Sequence, residues 1–200
     1  MFMYNRLLLL EILWPALFLF CSADNLFETY FESKETQQNK CPSLLSCSSC
    51  VSVSSCTWCV TKSMCTRSSC GNDNVIYPKN SQGLMTGDEF CSRIVQPEGP
   101  LIFKSGKREI IELKTTQMHI YMAFTPWKCK IDLNGKVMIV NAILVVDKVY
   151  CQAVTLNNES DSPCVDGNIT LLWEYSKSLD GKLPIRVCRC DLDSSCVACK

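Results

Sequence analysis

Between residues 128 and 133 apolar and polar positions alternate strictly. Cys129, Ile131 and Leu133 fall on one side, and Lys128, Lys130 and Asp132 on the other. A period of two predicts a half-buried strand. Asn134-Gly135 follows directly, and this pair accepts the positive φ that both central positions of a two-residue type I′ turn require, so a hairpin into residues 137–145 is expected. Further short runs lie at 108–115, 118–124, 148–155, 168–175 and 183–187, the last two read as a hairpin across Asp180-Gly181. Seven short strands at regular spacing predict an antiparallel sandwich of immunoglobulin type. Cys129 sits in the inward register and Cys151 on a separate strand, so a buried bridge between them is expected. Trp173, in the alternation Ile169, Leu171, Trp173, reads as core, as does Trp127. Cys164–Cys188 is a further candidate bridge, although the Asp180-Gly181 register sets Cys188 opposite Trp173.

Ahead of this region the pattern changes. Residues 41–91 hold eight cysteines, many serines and few aliphatic residues. A segment this poor in apolar side chains cannot bury enough surface to offset its chain entropy, and cross-links must substitute. The turn cluster Pro97-Glu98-Gly99-Pro100 marks a boundary, giving a connecting stretch over residues 92–100. Residues 24–40 are polar, with an amphipathic beginning (Leu26, Phe27, Tyr30, Phe31), and read as a linker.

Residues 1–23 follow another pattern: Arg6, an apolar run to Phe20, and small residues at Cys21-Ser22-Ala23. This is the layout of a secretory signal peptide cut after Ala23, and the run is short of the roughly 20 residues that span a bilayer. No later run is long and apolar enough to span a membrane. Secretion decides how the 16 cysteines are read, because spaced pairs in an oxidising compartment are bridges. Cys47-x2-Cys50, Cys56-x2-Cys59 and Cys196-x2-Cys199 have zinc-ligand spacing, but the crowd of cysteines exceeds what one zinc needs and no His is nearby. No metal or cofactor is expected.

Equal numbers of basic and acidic residues, 20 of each, leave no field to attract nucleic acid or anionic lipid. Acyl-transfer chemistry usually needs a histidine base, and the sole one is His119, within the expected strand 118–124. Gly71-Asn72-Asp73-Asn74 lacks the spaced oxygen ligands of a calcium loop and reads as a turn. No enzyme and no small-molecule substrate are expected. Asn158-Glu159-Ser160 and Asn168-Ile169-Thr170 are glycosylation acceptor triplets.

The first block reads Cys41-x5-Cys47-x2-Cys50-x5-Cys56-x-Trp58-Cys59-x5-Cys65-x4-Cys70-x20-Cys91. It resembles the PSI domain of plexins, semaphorins and integrins, whose signature is eight cysteines around a C-x-W-C centre, here Cys56-Thr57-Trp58-Cys59. The resemblance implies the pairs Cys41–Cys56, Cys47–Cys91, Cys50–Cys65 and Cys59–Cys70, with Trp58 packed on them. Residues 101–189, with Cys129, Lys148-Val149-Tyr150-Cys151 and Ile169-Thr170-Leu171-Leu172-Trp173, resemble the TIG/IPT domain that follows a PSI domain in plexins. Cys190-x5-Cys196-x2-Cys199 repeats the opening of the first block and resembles the start of a second PSI domain over residues 190–200.

The implied fold is a small disulfide-rich PSI domain followed by an all-β immunoglobulin-like (TIG/IPT) sandwich. The implied role is a non-catalytic extracellular module pair of a plexin-like receptor, a rigid spacer in semaphorin–plexin signalling without the ligand-binding propeller. Its partners would be other extracellular domains or cell-surface proteins, and its place secreted or on the outer side of the plasma membrane. The alternative is a short secreted disulfide-rich protein that binds a cell-surface or host partner directly. Removing Cys21 leaves an odd number of cysteines, and Cys190, Cys196 and Cys199 are expected to stay reactive or pair between chains.

Overall fold

The computed structural model describes residues 40–200. The signal peptide over residues 1–23, with Cys21, and all of the linker except Lys40 lie outside the described residues.

The disulfide block has little regular structure. Helix α1 (Cys47–Val51) is a little over one turn, too short to stand alone, and Ser46 caps it by accepting the Ser49 N–H. Strands β1 (Thr57–Cys59), β2 (Met64–Thr66) and β3 (Val75–Ile76) form a small antiparallel sheet with β1 in the middle. Trp58 therefore lies between Cys65 and Ile76, and it packs with Val51, Val60 and six buried half-cystines. Sulfur takes the place of aliphatic carbon in this core.

The larger unit is a nine-stranded sheet folded on itself. Its strands are β4 (Arg93–Ile94), β5 (Leu101–Lys104), β6 (Arg108–Thr116), β7 (Trp127–Leu133), β8 (Lys136–Val145), β9 (Lys148–Thr155), β10 (Cys164–Trp173), β11 (Lys177–Ser178) and β12 (Leu183–Cys188). They follow the order β4-β6-β9-β8-β7-β10-β12-β5, with β11 attached to β10. All neighbours are antiparallel except β12 and β5.

Strand β8 makes the fold a sandwich. Its first part, to Ala142, pairs with β7, and from Ala142 onward it pairs with β9. The strand thus passes from one layer to the other. Ile111, Leu113 and Val149 from one layer pack against Ile131, Ile169, Leu171 and Ile185 from the other. Leu133 pairs with Lys136 across Asn134 (φ 50°) and Gly135 (φ 79°), a two-residue turn. Trp127 and Trp173 are cross-strand partners and both are buried. Gly167 lets β10 approach β7, since a Cβ there would collide with the Asp132 carbonyl.

Three expectations are corrected. Residues 118–124 are no strand: Gln117, at φ 54°, breaks away from β6, and residues Ile120–Phe124 form a 3₁₀ turn that buries Met122 and exposes Ile120 and Phe124. Residues 92–100 are more than a connection, because β4 lies within them and joins β6. Finally, β10 does not fold back across Asp180-Gly181. Glu174 and Tyr175 take positive φ and turn the chain early into β11, so β12 pairs further back, with Ile169 opposite Leu183 and Cys164 opposite Cys188. Trp173 faces Trp127 and Lys177.

Candidate functional site

Each expected half-cystine has a place in this frame. In the first block the structure joins Cys41 to Cys56, Cys47 to Cys91, Cys50 to Cys65 and Cys59 to Cys70, with Cα separations of 5.6, 5.7, 5.6 and 5.5 Å. These lie in the range that an unstrained bridge spans. Cys47 and Cys50 tie the two exposed ends of α1 to Cys91 and to β2. In the sandwich Cys129 and Cys151 are joined at a Cα separation of 5.8 Å. They flank the point where β8 changes layer, opposite Val140 and Ala142, so the bridge closes the two layers at their hinge strand. Cys164 is joined to Cys188 between facing strands. One expectation changes: Cys190 bridges Cys199 within the chain, and Cys196 is the free cysteine among the described residues.

The junction between block and sandwich is the most elaborated surface. Asp180, buried at 8% exposure, accepts hydrogen bonds from the backbone N–H of Cys47 (2.9 Å) and Ser48 (2.6 Å), the first turn of α1. Orphan N–H groups at a helix start are commonly satisfied by a carboxylate, and here the carboxylate comes from the other module. The Asp180 backbone is engaged as well, donating to the Ser92 carbonyl and accepting the Ile94 N–H. The Lys177 Nζ donates to the Thr61 carbonyl at 2.6 Å and lies 4.8 Å from the Trp173 ring centre. Tyr121 packs against both hydrophobic cores. The void left between Trp58, Ile76, His119, Met122, Trp173 and Asp180 is about 20 Å³, room for one water.

His119 stands at this junction. It stacks on Tyr121 at 5.8 Å, and burial pushes its pKa below the usual 6.5 against the Phe90 backbone and the Asp73 charge, which raise it. Burial likewise pushes the Tyr121 phenol up. Among the described residues no hydrogen bond links the His119 ring to a nucleophile. Asp73 accepts the backbone N–H groups of Thr61 (2.9 Å) and Lys62 (3.0 Å). Its carboxylate ties down a turn: burial pushes its pKa up, but these hydrogen bonds outweigh that and leave it below the usual value.

The two acceptor asparagines differ. Asn158 is 6% exposed, its Nδ2 donates to the Ser162 carbonyl, and its Oδ1 accepts from Ser160. Asn168 is half-buried on the outward side of β10, where its neighbour Ile169 points into the core.

The outward side of β8 is unusually apolar. Val137, Ile139, Ile143 and Val145 are 48–63% exposed, and Ile110 of β6 is 65% exposed. A shallow groove of about 420 Å³ runs between Ile110, Ile143 and Tyr150. Sequence reasoning missed both this face and the junction role of Asp180. The alternation in β8 was visible, but both of its sides are aliphatic, so the pattern did not say which would be wet.

Residues 99–188 match the family model of the TIG domain found in plexin. No curated protein matches the chain. Among solved structures, the full extracellular region of plexin A4, domains 1 to 8, is similar in fold, with a TM-score of 0.57 at 18% identity over 73% of this chain. The chain spans about 16% of the length of that structure. The C-terminal unit is thus a plexin-type TIG domain behind a disulfide-rich segment, a plexin-like extracellular module of a non-catalytic type. Seven disulfides fit an extracellular location. No helix among the described residues is long and apolar enough to cross a membrane.

Proposed function

We propose that the chain is a module pair of a plexin-like receptor, a PSI domain over residues 41–91 and a TIG domain over residues 101–189, serving as a rigid spacer in semaphorin–plexin signalling. Residues 190–200 would begin a second PSI domain. The observation that carries this reading is the junction at Asp180. A carboxylate shared between modules, backbone hydrogen bonds on both sides of it and a near-void-free contact hold one module at a set angle to the other. A spacer needs that stiffness and no reactive group. Domain contacts that were small and polar would instead leave the modules free to move.

Semaphorin would then be gripped by another part of the receptor. The test is surface plasmon resonance of the secreted chain against semaphorin, alongside small-angle X-ray scattering. No binding at sub-micromolar concentration and a scattering profile fitted by one rigid body support the spacer. Sub-micromolar capture of semaphorin, or a profile that requires several inter-module angles, overturns it.

A second reading, a secreted protein that binds a cell-surface or host partner directly, is favoured by the aliphatic outer side of β8, since contiguous exposed apolar patches often mark interaction sites. Ile139→Lys with Ile143→Lys would abolish cell-surface binding of the labelled chain under this reading. Equal binding by the variant would reject it.

A further inference from the structure

The free thiol of Cys196 does not stand alone. Its Sγ and those of Cys164 and Cys188 all lie within 4.8 Å of one another. Two features hold it there. The Cys190–Cys199 bridge closes the tail into a short loop containing Cys196, and the turn Val197–Cys199 of that loop rests against β5. Below it, β10 and β12 present their bridge at the end of the sandwich, with Cys164 half-buried and Cys188 buried. The Arg186 guanidinium is near enough to feel the Cys196 charge, although Asp166 holds it through two hydrogen bonds of 2.6 and 3.0 Å. A cation beside a thiol favours the thiolate, the form that attacks a disulfide.

We infer that Cys196 and the Cys164–Cys188 bridge form an exchange triad, in which the tail loop trades its free thiol for a covalent link to β10. The Cys196 thiolate attacks the Sγ of Cys164, the more accessible of the two bridge sulfurs. A Cys164–Cys196 bond forms and the Cys164–Cys188 bond breaks. The electron pair leaves on the Cys188 sulfur, which takes up the proton that Cys196 gave to solvent. One thiol and one disulfide exist before and after, so no oxidant or reductant is consumed. In one form the strands β10 and β12 are stapled and the tail hangs from its own loop. In the other the tail loop is stapled to the sandwich, and the buried Cys188 is a thiol at the end of the core, where burial favours the uncharged form.

The test is a thiol and disulfide map of the secreted chain, blocked natively with N-ethylmaleimide, quenched in acid, digested without reduction and read by mass spectrometry. Two populations are expected, one labelled at Cys196 with Cys164–Cys188 intact, the other labelled at Cys188 with Cys164–Cys196 joined. Cys196→Ser should remove every labelled thiol, and Cys188→Ser should drive Cys164–Cys196 to completion with neither labelled. Label confined to Cys196 in every wild-type molecule overturns the triad, and this map decides the matter even if Cys188→Ser does not fold. Cys196 found linked to a second chain overturns it equally.

Discussion

Asp180 and Ser48 lie 132 residues apart in the chain, yet the Asp180 carboxylate accepts the Ser48 backbone N–H at 2.6 Å. With the Cys47 N–H at 2.9 Å, the first turn of α1 is capped by the sandwich. The short helix borrows its N-terminal anion from the domain it must be oriented against, so capping and docking are one interaction.

Removing that carboxylate should therefore loosen the junction. Asp180→Ala leaves two N–H groups without partners and should cost about 2 kcal/mol in urea unfolding, the scale of hydrogen bonds to a charged group. Asp180→Asn, which keeps one acceptor, should cost less. Hydrogen exchange should accelerate at the amides of residues 47–51 in the Ala variant. Unchanged exchange there would mean that the contact does not hold the helix.

Acid should weaken the same region through His119. Its folded pKa lies below the unfolded value near 6.5, so between the two the unfolded chain binds the extra proton. The contribution is present above pH 6.5 and is lost as pH falls below it towards the folded value, at no more than about 1.4 kcal/mol per pH unit. Thermal denaturation from pH 7.5 to 5 should show Tm falling more steeply for the native chain than for His119→Gln. Parallel curves would remove His119 as the cause.

The bridge at the layer change has a different signature. Replacing Cys129 and Cys151 together by Ala opens a loop of sequence separation 22. The loop-entropy scale puts the loss at about 3 kcal/mol, to which a small packing loss adds. Chemical denaturation of the double variant measures it. A loss below about 1 kcal/mol would show that the layers are held by packing alone.

Glycosylation should separate the two acceptor triplets. Asn168 lies on the outward side of β10, whereas the Asn158 amide is buried and shared between Ser160 and Ser162. Peptide mapping of chain secreted from animal cells should find glycan on Asn168 and none on Asn158. Glycan on Asn158 would mean that the loop over residues 157–163 takes another arrangement.

Much of the fold was written locally. The alternation over residues 128–133 and the Asn134-Gly135 pair specify a hairpin from neighbours alone, because pleat and turn geometry act over two to four residues. The eight cysteines with Trp58 announce a cross-linked block, because a segment so poor in aliphatic side chains has no other source of stability. The Met118–Phe124 stretch shows the limit: its composition suits a strand, but the left-handed Gln117 and the burial of Met122 alone make it a turn. Asp180-Gly181 has the chemistry of a hairpin and serves as a junction.

What the chain's order of residues determined, then, was the kind of element at each stretch, the oxidised character of the cysteines and the plexin-like module type. What the tertiary structure decided was register and partnership: Cys164 opposite Cys188, β8 shared between two layers, Asp180 on α1, Cys196 above a bridge. The physical reason is range. Strand periodicity and turn preference are set by adjacent residues, whereas a register nine residues away from the expected one is chosen by which long-range packing buries Trp173, Ile169 and Leu183 together. That packing exists only once both layers and the disulfide block have met.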